Sequence, residues 1–549
     1  MTPQVSAPTL NAALSIRIPW LRVGSAMVAL LICFPILVVA ANLLVPRPDT
    51  WRHLAQTVLP DYIVNTGLLA AGVGLGVVVL GVGCAWLTSM CRFPFARFFE
   101  WALLLPIAMP AYVMAYVYTD FLQFAGPLQT ALRVAFDWKA GDYRFPDVRS
   151  LGGAAFVLSF VLYPYVYLLA RAAFLEQSVS ALETARILGE GSWRSFWRIA
   201  LPLARPAIVA GTALCLMETL ADYGTVAYFG VDTFSTGIFR AWFSMGDPVA
   251  AAQLGALLLA GVGAVLALER LGRGRAAFHG AGRKRALQHI LRGPRSALAL
   301  IACAVPLTLG FVLPVALLLR FVAQEEAALQ AGRFARLAWN SFSLAGVAAL
   351  LALGCALVIA YAMRLRPGWL ERIAHRISGL GYAAPGVVIA VGVMVPLTRI
   401  DQALASVLPS SGSTRMLLTG TVVALLYAYV VRFLAVALQT VDAGLARIRR
   451  NMDDAARSLG ASPAGTLLRV HVPLLARSLV AAALLVFVDV MKELPATLAL
   501  RPFDFDTLAV QTFNLAKDER LAEASLPAIA IVLVGLIPVY LLSRSMARR

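Results

Sequence analysis

Twelve stretches of this chain are apolar for long enough to cross a bilayer, which takes roughly 20 residues of helix. In the first half they run Val23–Val45, Thr66–Trp86, Trp101–Phe121, Leu151–Leu169, Ala207–Ala227 and Val249–Leu268. The second half supplies Ala297–Leu319, Ser341–Met363, Ile377–Pro396, Met416–Val431, Leu479–Leu500 and Leu526–Leu542. The pattern predicts an all-α polytopic membrane protein of about twelve transmembrane helices. An even count puts both ends of the chain on one side. The first run follows Arg17 and Arg22 and outlasts a signal-peptide core, so an uncleaved first span is expected.

Composition supports this reading and removes rivals. Of 549 residues, 60% are hydrophobic and only 14% charged, too little polar surface for a soluble protein of this length. The formal charge of +18 would suit a nucleic-acid binder, but the charges lie between apolar runs, which argues against that partner. If the N-terminus is cytoplasmic, roughly two thirds of the 47 Lys and Arg fall on that side, and most acids fall elsewhere. Both termini are therefore expected in the cytoplasm. The most basic stretch, Arg270 to Arg295, is expected to meet anionic membrane lipid. The six cysteines show no C-x-x-C spacing and read as small core hydrophobes; the five histidines never pair at i, i+4, so no metal site is assigned.

The halves repeat. A shift of 271 carries Glu183 to Asp454, Ala185 to Ala456, Gly189 to Gly460 and Pro202 to Pro473; earlier the shift is 275, from Asn65 to Asn340 and Pro110 to Pro385. Two six-span units with parallel insertion follow, related about an axis along the membrane normal. The strongest repeated element is polar. Each copy has an acid near the start of a short helix, where the helix dipole favours it. A glycine then permits a left-handed turn, and a second helix, with Ser192 or Ser462 as cap, runs toward a proline. An angled helix pair of this kind suits insertion into a partner's groove.

These residues resemble the E-A-A-x-x-x-G-x(9)-I-x-L-P signature of permease subunits of ATP-binding-cassette (ABC) importers. The first copy, Glu183 to Ile199-Ala200-Leu201-Pro202, departs only with Thr184; the second substitutes Asp454 and ends Val470-His471-Val472-Pro473. The fifth-span runs Met217 to Gly230 and Asp489 to Leu508 resemble those of fused ferric-iron permeases, a likeness shared in part with thiamine, phosphonate and polyamine permeases. The resemblance implies two fused six-helix type I permease units. It divides the chain into a first span within 1–60, a permease domain at 61–270 with coupling loop 178–206, and a linker at 271–296. A further span follows within 297–335, then a second domain at 336–549 with coupling loop 447–477. It implies two ATPase subunits and a periplasmic substrate-binding protein as partners.

ATP chemistry is expected on those partners, with ATP and Mg bound there and no cofactor on this chain. None of the four lysines (Lys139, Lys284, Lys492, Lys517) follows a glycine, so no P-loop is present to cradle phosphate. Glu218 and Asp222 match Asp489 and Glu493 at the 271 shift. A charge at the centre of a membrane helix costs about 2.5–3.5 kcal/mol, so these acids are candidates to line a translocation path. The competing reading makes them structural pairs or an outer acidic rim. An ion-driven secondary transporter is the rival function, but it has no use for repeated angled helices.

Overall fold

The computed structural model describes residues 19–139, 141–176, 192–273, 289–324, 331–365, 367–379, 381–407 and 418–547. Among these residues, eleven helices are long and apolar enough to cross a membrane, and a bent pair makes a possible twelfth. The first half contains α1 (Pro19–Ala41), α2 (Leu59–Met90), α3 (Ala111–Leu122), α4 (Leu151–Glu176), α5 (Leu201–Ala221), the short α6 (Gly224–Tyr228) and α7 (Pro248–Arg273). The second contains α8 (Pro294–Leu307), α9 (Leu313–Gln324), α10 (Ala331–Leu365), α11 (Gly386–Val407), α12 (Val422–Leu445), α13 (Val472–Met491), the short α14 (Pro495–Leu500) and α15 (Leu521–Ala547).

The repeat holds at the level of individual bonds. Helices α3 and α11 begin 275 residues apart, whereas α4 and α12 begin 271 apart, so the length change lies between the third and fourth spans. The Asn65 side chain donates to Asp232 O at 2.9 Å, and Asn340 donates to Asp506 O at 3.1 Å. One residue on, Thr66 Oγ1 accepts from Phe234 N and Ser341 Oγ from Leu508 N.

Each half lends its first span to the other. Pro35 inside α1 has no N–H, which frees the Leu31 carbonyl four residues back, and Tyr427 of the second half donates its hydroxyl there. Pro306 inside α8 frees Ala302 O in the same way, and Cys84 of the first half takes it at 3.7 Å. Arg22 at the start of α1 donates to Glu371 at 2.7 Å. Backbone contact at Gly392 is so close that a Cβ there would lie 2.3 Å from Pro35 O. The two first spans are therefore outer struts of the opposite halves.

Several spans differ from their hydropathy limits. The stretch expected as Trp101–Phe121 is broken, bending by 93° between Ala96–Ala108 and Ala111–Phe136. Pro110 imposes this: it lacks an N–H and holds Met109 in extended conformation, with ψ 120°. In the second half Pro385 marks the equivalent break, so the span starts at Gly386 and runs past Pro396 to Val407. The fifth spans also stop early, at Ala221 and Met491, where Asp222 and Lys492-Glu493 interrupt the apolar sequence. The span expected to end at Val431 extends through Arg432 to Leu445.

Candidate functional site

The second copy of the repeated polar segment is fully described. Helix Asn451–Ser458 carries Asp453 and Asp454 in its first turn. It ends in a Schellman turn, with Ala461 N bonded to Ala456 O and Gly460 N to Arg457 O. Gly460 has φ +79°, the left-handed conformation expected from its position. Ser462 Oγ then accepts from Gly465 N at 3.1 Å and starts the second helix. A π turn, Leu467–His471, leads into α13 with Pro473 as its second residue.

Polar contacts hold this segment in place. Arg364 at the end of α10 reaches Asp453 at 2.9 Å and also donates to Leu445 O and Ile448 O. His471 Nε2 lies 2.5 Å from Asp453 Oδ1, and Tyr361 donates to Pro463 O. Asp454, by contrast, is exposed and pairs with Arg457, while Ala456 is buried. Leu459, beside the glycine, is 87% exposed and stands ready for an apolar contact. Of the first copy, Glu183, Ala185 and Gly189 lie outside the described residues. The part that is described repeats the second: helix Ser192–Ser195, a π turn at Phe196–Ala200 and Pro202 as the second residue of α5. Here Trp86 packs on Phe196 and Phe174 with ring centroids 4.9 and 5.5 Å away.

The four matched acids all line one cavity of about 140 Å³ at the junction of the halves. Their surroundings separate them into two kinds. Asp222 follows α5 in extended conformation and caps α6, accepting from Thr225 N, Thr225 Oγ1 and Val226 N at 3.0, 3.0 and 3.1 Å. Glu493 does the same for α14, accepting from Ala496 N, Thr497 N and Thr497 Oγ1 at 3.0, 3.0 and 2.8 Å. Both carboxylates thus hold the breaks in the fifth spans, because their oxygens satisfy the first N–H groups of the short helices.

Glu218 and Asp489 sit one turn earlier, on the last turns of α5 and α13. Asp489 pairs with Lys492 at 3.2 Å. Glu218 adjoins Tyr382, which in turn adjoins Tyr165. Unlike Asp222 and Glu493, these two acids cap neither short helix.

Arg432 was not foreseen as part of this site. It projects from α12, donates to Glu493 at 2.9 Å and lines the cavity with Lys492 and Tyr112. Its signal in the sequence is a lone charge immediately after the apolar run Met416–Val431. Gly386 at the start of α11 makes room for the pair: a Cβ there would lie 2.1 Å from Arg432 Nη1. The cavity therefore combines four acids with two cations. Among the described residues, no three His, Cys, Asp or Glu side chains converge as a resident metal site requires.

Comparison with known proteins bears on both regions. The profile of the binding-protein-dependent transport system inner membrane component family matches residues 77–274 and 352–549. The chain is 26% identical to the Fe(3+)-transport system permease protein FbpB 2 of Haemophilus influenzae over 532 residues, 96% of this chain and 98% of that protein. It is 22% identical to the ferric transport system permease protein FbpB of Actinobacillus pleuropneumoniae, over 85% of this chain and 68% of the relative. A shorter match, 30% identical over 149 residues, joins 27% of this chain to 62% of the molybdenum transport system permease protein ModB of Escherichia coli.

Proposed function

The chain belongs to the binding-protein-dependent transport system inner membrane component family, and from that membership we propose that it is the permease of a ferric-iron ABC importer. The observation that carries the substrate is the end-to-end likeness to a ferric permease, covering 96% of this chain and 98% of the relative. In this reading a periplasmic binding protein delivers iron, and both termini lie in the cytoplasm of a bacterial inner membrane. Two ATPase subunits, which hold the ATP and Mg, dock on the paired angled helices around Glu183–Gly189 and Asp454–Gly460.

The geometry suits such coupling. A push on the second angled helix passes through the Asp453–Arg364 bond to the end of α10, and through the π turn directly into α13. At the far end of α13 stand Asp489 and the break held by Glu493, so motion at one end of the span reaches the cavity. A hard cation favours carboxylate oxygens. Glu218 and Asp489 would offset part of its dehydration without forming a site tight enough to trap it.

The test is uptake in a strain lacking this chain. Radiolabelled iron uptake should fall and return with the gene, while thiamine and phosphonate uptake stay normal. Loss of thiamine or phosphonate transport with normal iron uptake rejects the iron assignment. Replacing Glu218 and Asp489 with Gln and Asn should lower iron uptake at unchanged protein abundance.

A further inference from the structure

We propose that the short helices leading into the two third spans, Ala96–Ala102 and Trp369–Ser378, lie in the membrane interface and bind anionic phospholipid headgroups. The first spans beside them fix their depth. Arg22 stands just before the exposed apolar face of α1, which opens with Val23, Met27 and Leu30. It donates to Glu371 at 2.7 Å, so Trp369–Ser378 sits where that lipid-facing surface begins. In the other half Leu291 N donates to Arg92 O at 3.0 Å, just ahead of Ala96–Ala102. The exposed apolar face of α8 then opens with Leu298 and Ile301.

Each helix sorts its side chains by face. Trp369–Ser378 buries Glu371, Ala374 and Ser378, and it exposes Trp369 and Ile373 along one edge with Arg372 and Arg376 beside them. Ala96–Ala102 buries Phe99 and exposes Arg97, Phe98 and Trp101. At the 275 shift Arg97 falls on Arg372, Phe98 on Ile373 and buried Phe99 on buried Ala374, so both faces repeat. The acids are turned inward: Arg22 takes Glu371, and Arg171 of α4 takes Glu100. His375 is engaged by Asp442. The charges left on the outer faces are Arg97, Arg372 and Arg376, all positive. Phe95 and Trp369, which open the two helices, are each 72% exposed. At interface depth such rings meet the acyl boundary, while neighbouring guanidinium groups reach phosphate oxygens. A zwitterionic headgroup brings its own cation to that contact; an anionic one does not, and each arginine near an anionic surface gains about fivefold in binding. From these helices the chain runs directly to Pro110 and Tyr382, which line the central cavity. Headgroups held here therefore brace the cavity wall, whatever the cargo.

The test places the full-length chain in nanodiscs of phosphatidylcholine, alone or mixed with phosphatidylglycerol. Hydrogen exchange is followed along 96–102 and 369–378 at one pH. Exchange should be about fivefold slower, or more, with phosphatidylglycerol present. Arg97→Gln, Arg372→Gln and Arg376→Gln together should remove that difference and leave the rate in phosphatidylcholine unchanged. Lysine at the same three positions keeps the charge and should retain most of the difference. Equal exchange in the two lipids overturns the site. A difference that survives the three glutamines also overturns it, and moves the effect to the basic linker. Protection that appears only when the ATPase subunits are added overturns it as well, and makes these helices a protein interface.

Discussion

The two fifth spans break at equivalent places under equivalent carboxylates, yet among the described residues only one of these carboxylates pairs with a cation. Asp222 caps α6 alone, whereas Glu493 caps α14 and also receives Arg432. The difference extends to the neighbouring element. Where the first half has Ala111 at the start of α3, the second has Gly386 at the start of α11, and only a glycine leaves space for the arginine. A second contact shows the same freedom with opposite signs. Glu100 meets Arg171 of α4 at 2.6 Å, and at the shifted positions His375 meets Asp442 of α12 at 2.6 Å. Both halves keep a polar pair between the lead-in to the third span and the end of the fourth. What the repeat preserves is the place of a contact, because the helix breaks and crossings fix it. The charges there can be reversed, provided both partners change together.

The largest effect should come from breaking this asymmetry at its buried pair. Arg432→Ala leaves Glu493 uncompensated in the interior, a loss of about 3–5 kcal/mol. Asp222→Ala removes a cap without stranding a cation and should cost on the order of 1–2 kcal/mol. Thermal unfolding of the detergent-solubilised protein compares the two. Equal losses would show that the arginine adds nothing to the second half.

Next in size is the glycine that admits the pair. Gly386→Ala places a methyl against Arg432 and Glu493, at 2.1 and 2.7 Å, and should cost about 1–3 kcal/mol by overpacking. Ala111→Gly, its counterpart, should cost no more than about 1 kcal/mol, the helix propensity of alanine over glycine. A comparable loss from both would mean that Gly386 serves only its helix start.

A smaller energetic change tests the two polar segments. Gly460 has φ +79° with open space around its Cβ position, so Gly460→Val costs only the left-handed backbone, roughly 1–2 kcal/mol. Its consequence for coupling should exceed its consequence for stability: ATP hydrolysis continues while iron uptake falls. Gly189→Val should behave alike if the first segment makes the same turn. Full transport by the double variant would remove these helices from the coupling route.

The hydropathy pattern made the spans legible, and the repeat made the two-unit architecture legible, but neither revealed where helices turn. Val226-Ala227 and most of Leu494 to Leu500 are apolar, so a hydropathy count that tolerates the charges before them carries the fifth spans too far. The acid three residues before Thr225 was a capping signal that the apolar count concealed. Arg432 misled in the opposite sense, since a charge reads as the end of a span unless its partner, 61 residues away, is known. The exchange of first spans had no sequence signal that could be read alone. Pro35 announces a freed carbonyl; only the fold shows that Tyr427 answers it.

The smallest effect distinguishes the reversed pairs by pH. His375 lies on an amphipathic helix, Trp369–Ser378, and its hydrogen bond to Asp442 raises its pKa above the ordinary histidine value, against the opposing effect of burial. On the same helix Glu371 is held by Arg22 of α1 at 2.7 Å. A raised histidine pKa stabilises the fold fully below the unfolded value of about 6.5, and the contribution fades as pH rises through the folded value. Both partners are about one-third exposed, 32% and 34%, so the gain is below about 1 kcal/mol. Hydrogen exchange along 369–378 should therefore quicken, beyond the intrinsic dependence on pH, as the pH rises above about 6.5. His375→Gln should abolish that excess. The Glu100–Arg171 contact contains no histidine, so the helix Ala96–Ala102 should show no such excess. An excess of equal size in both helices would mean that it does not arise from His375.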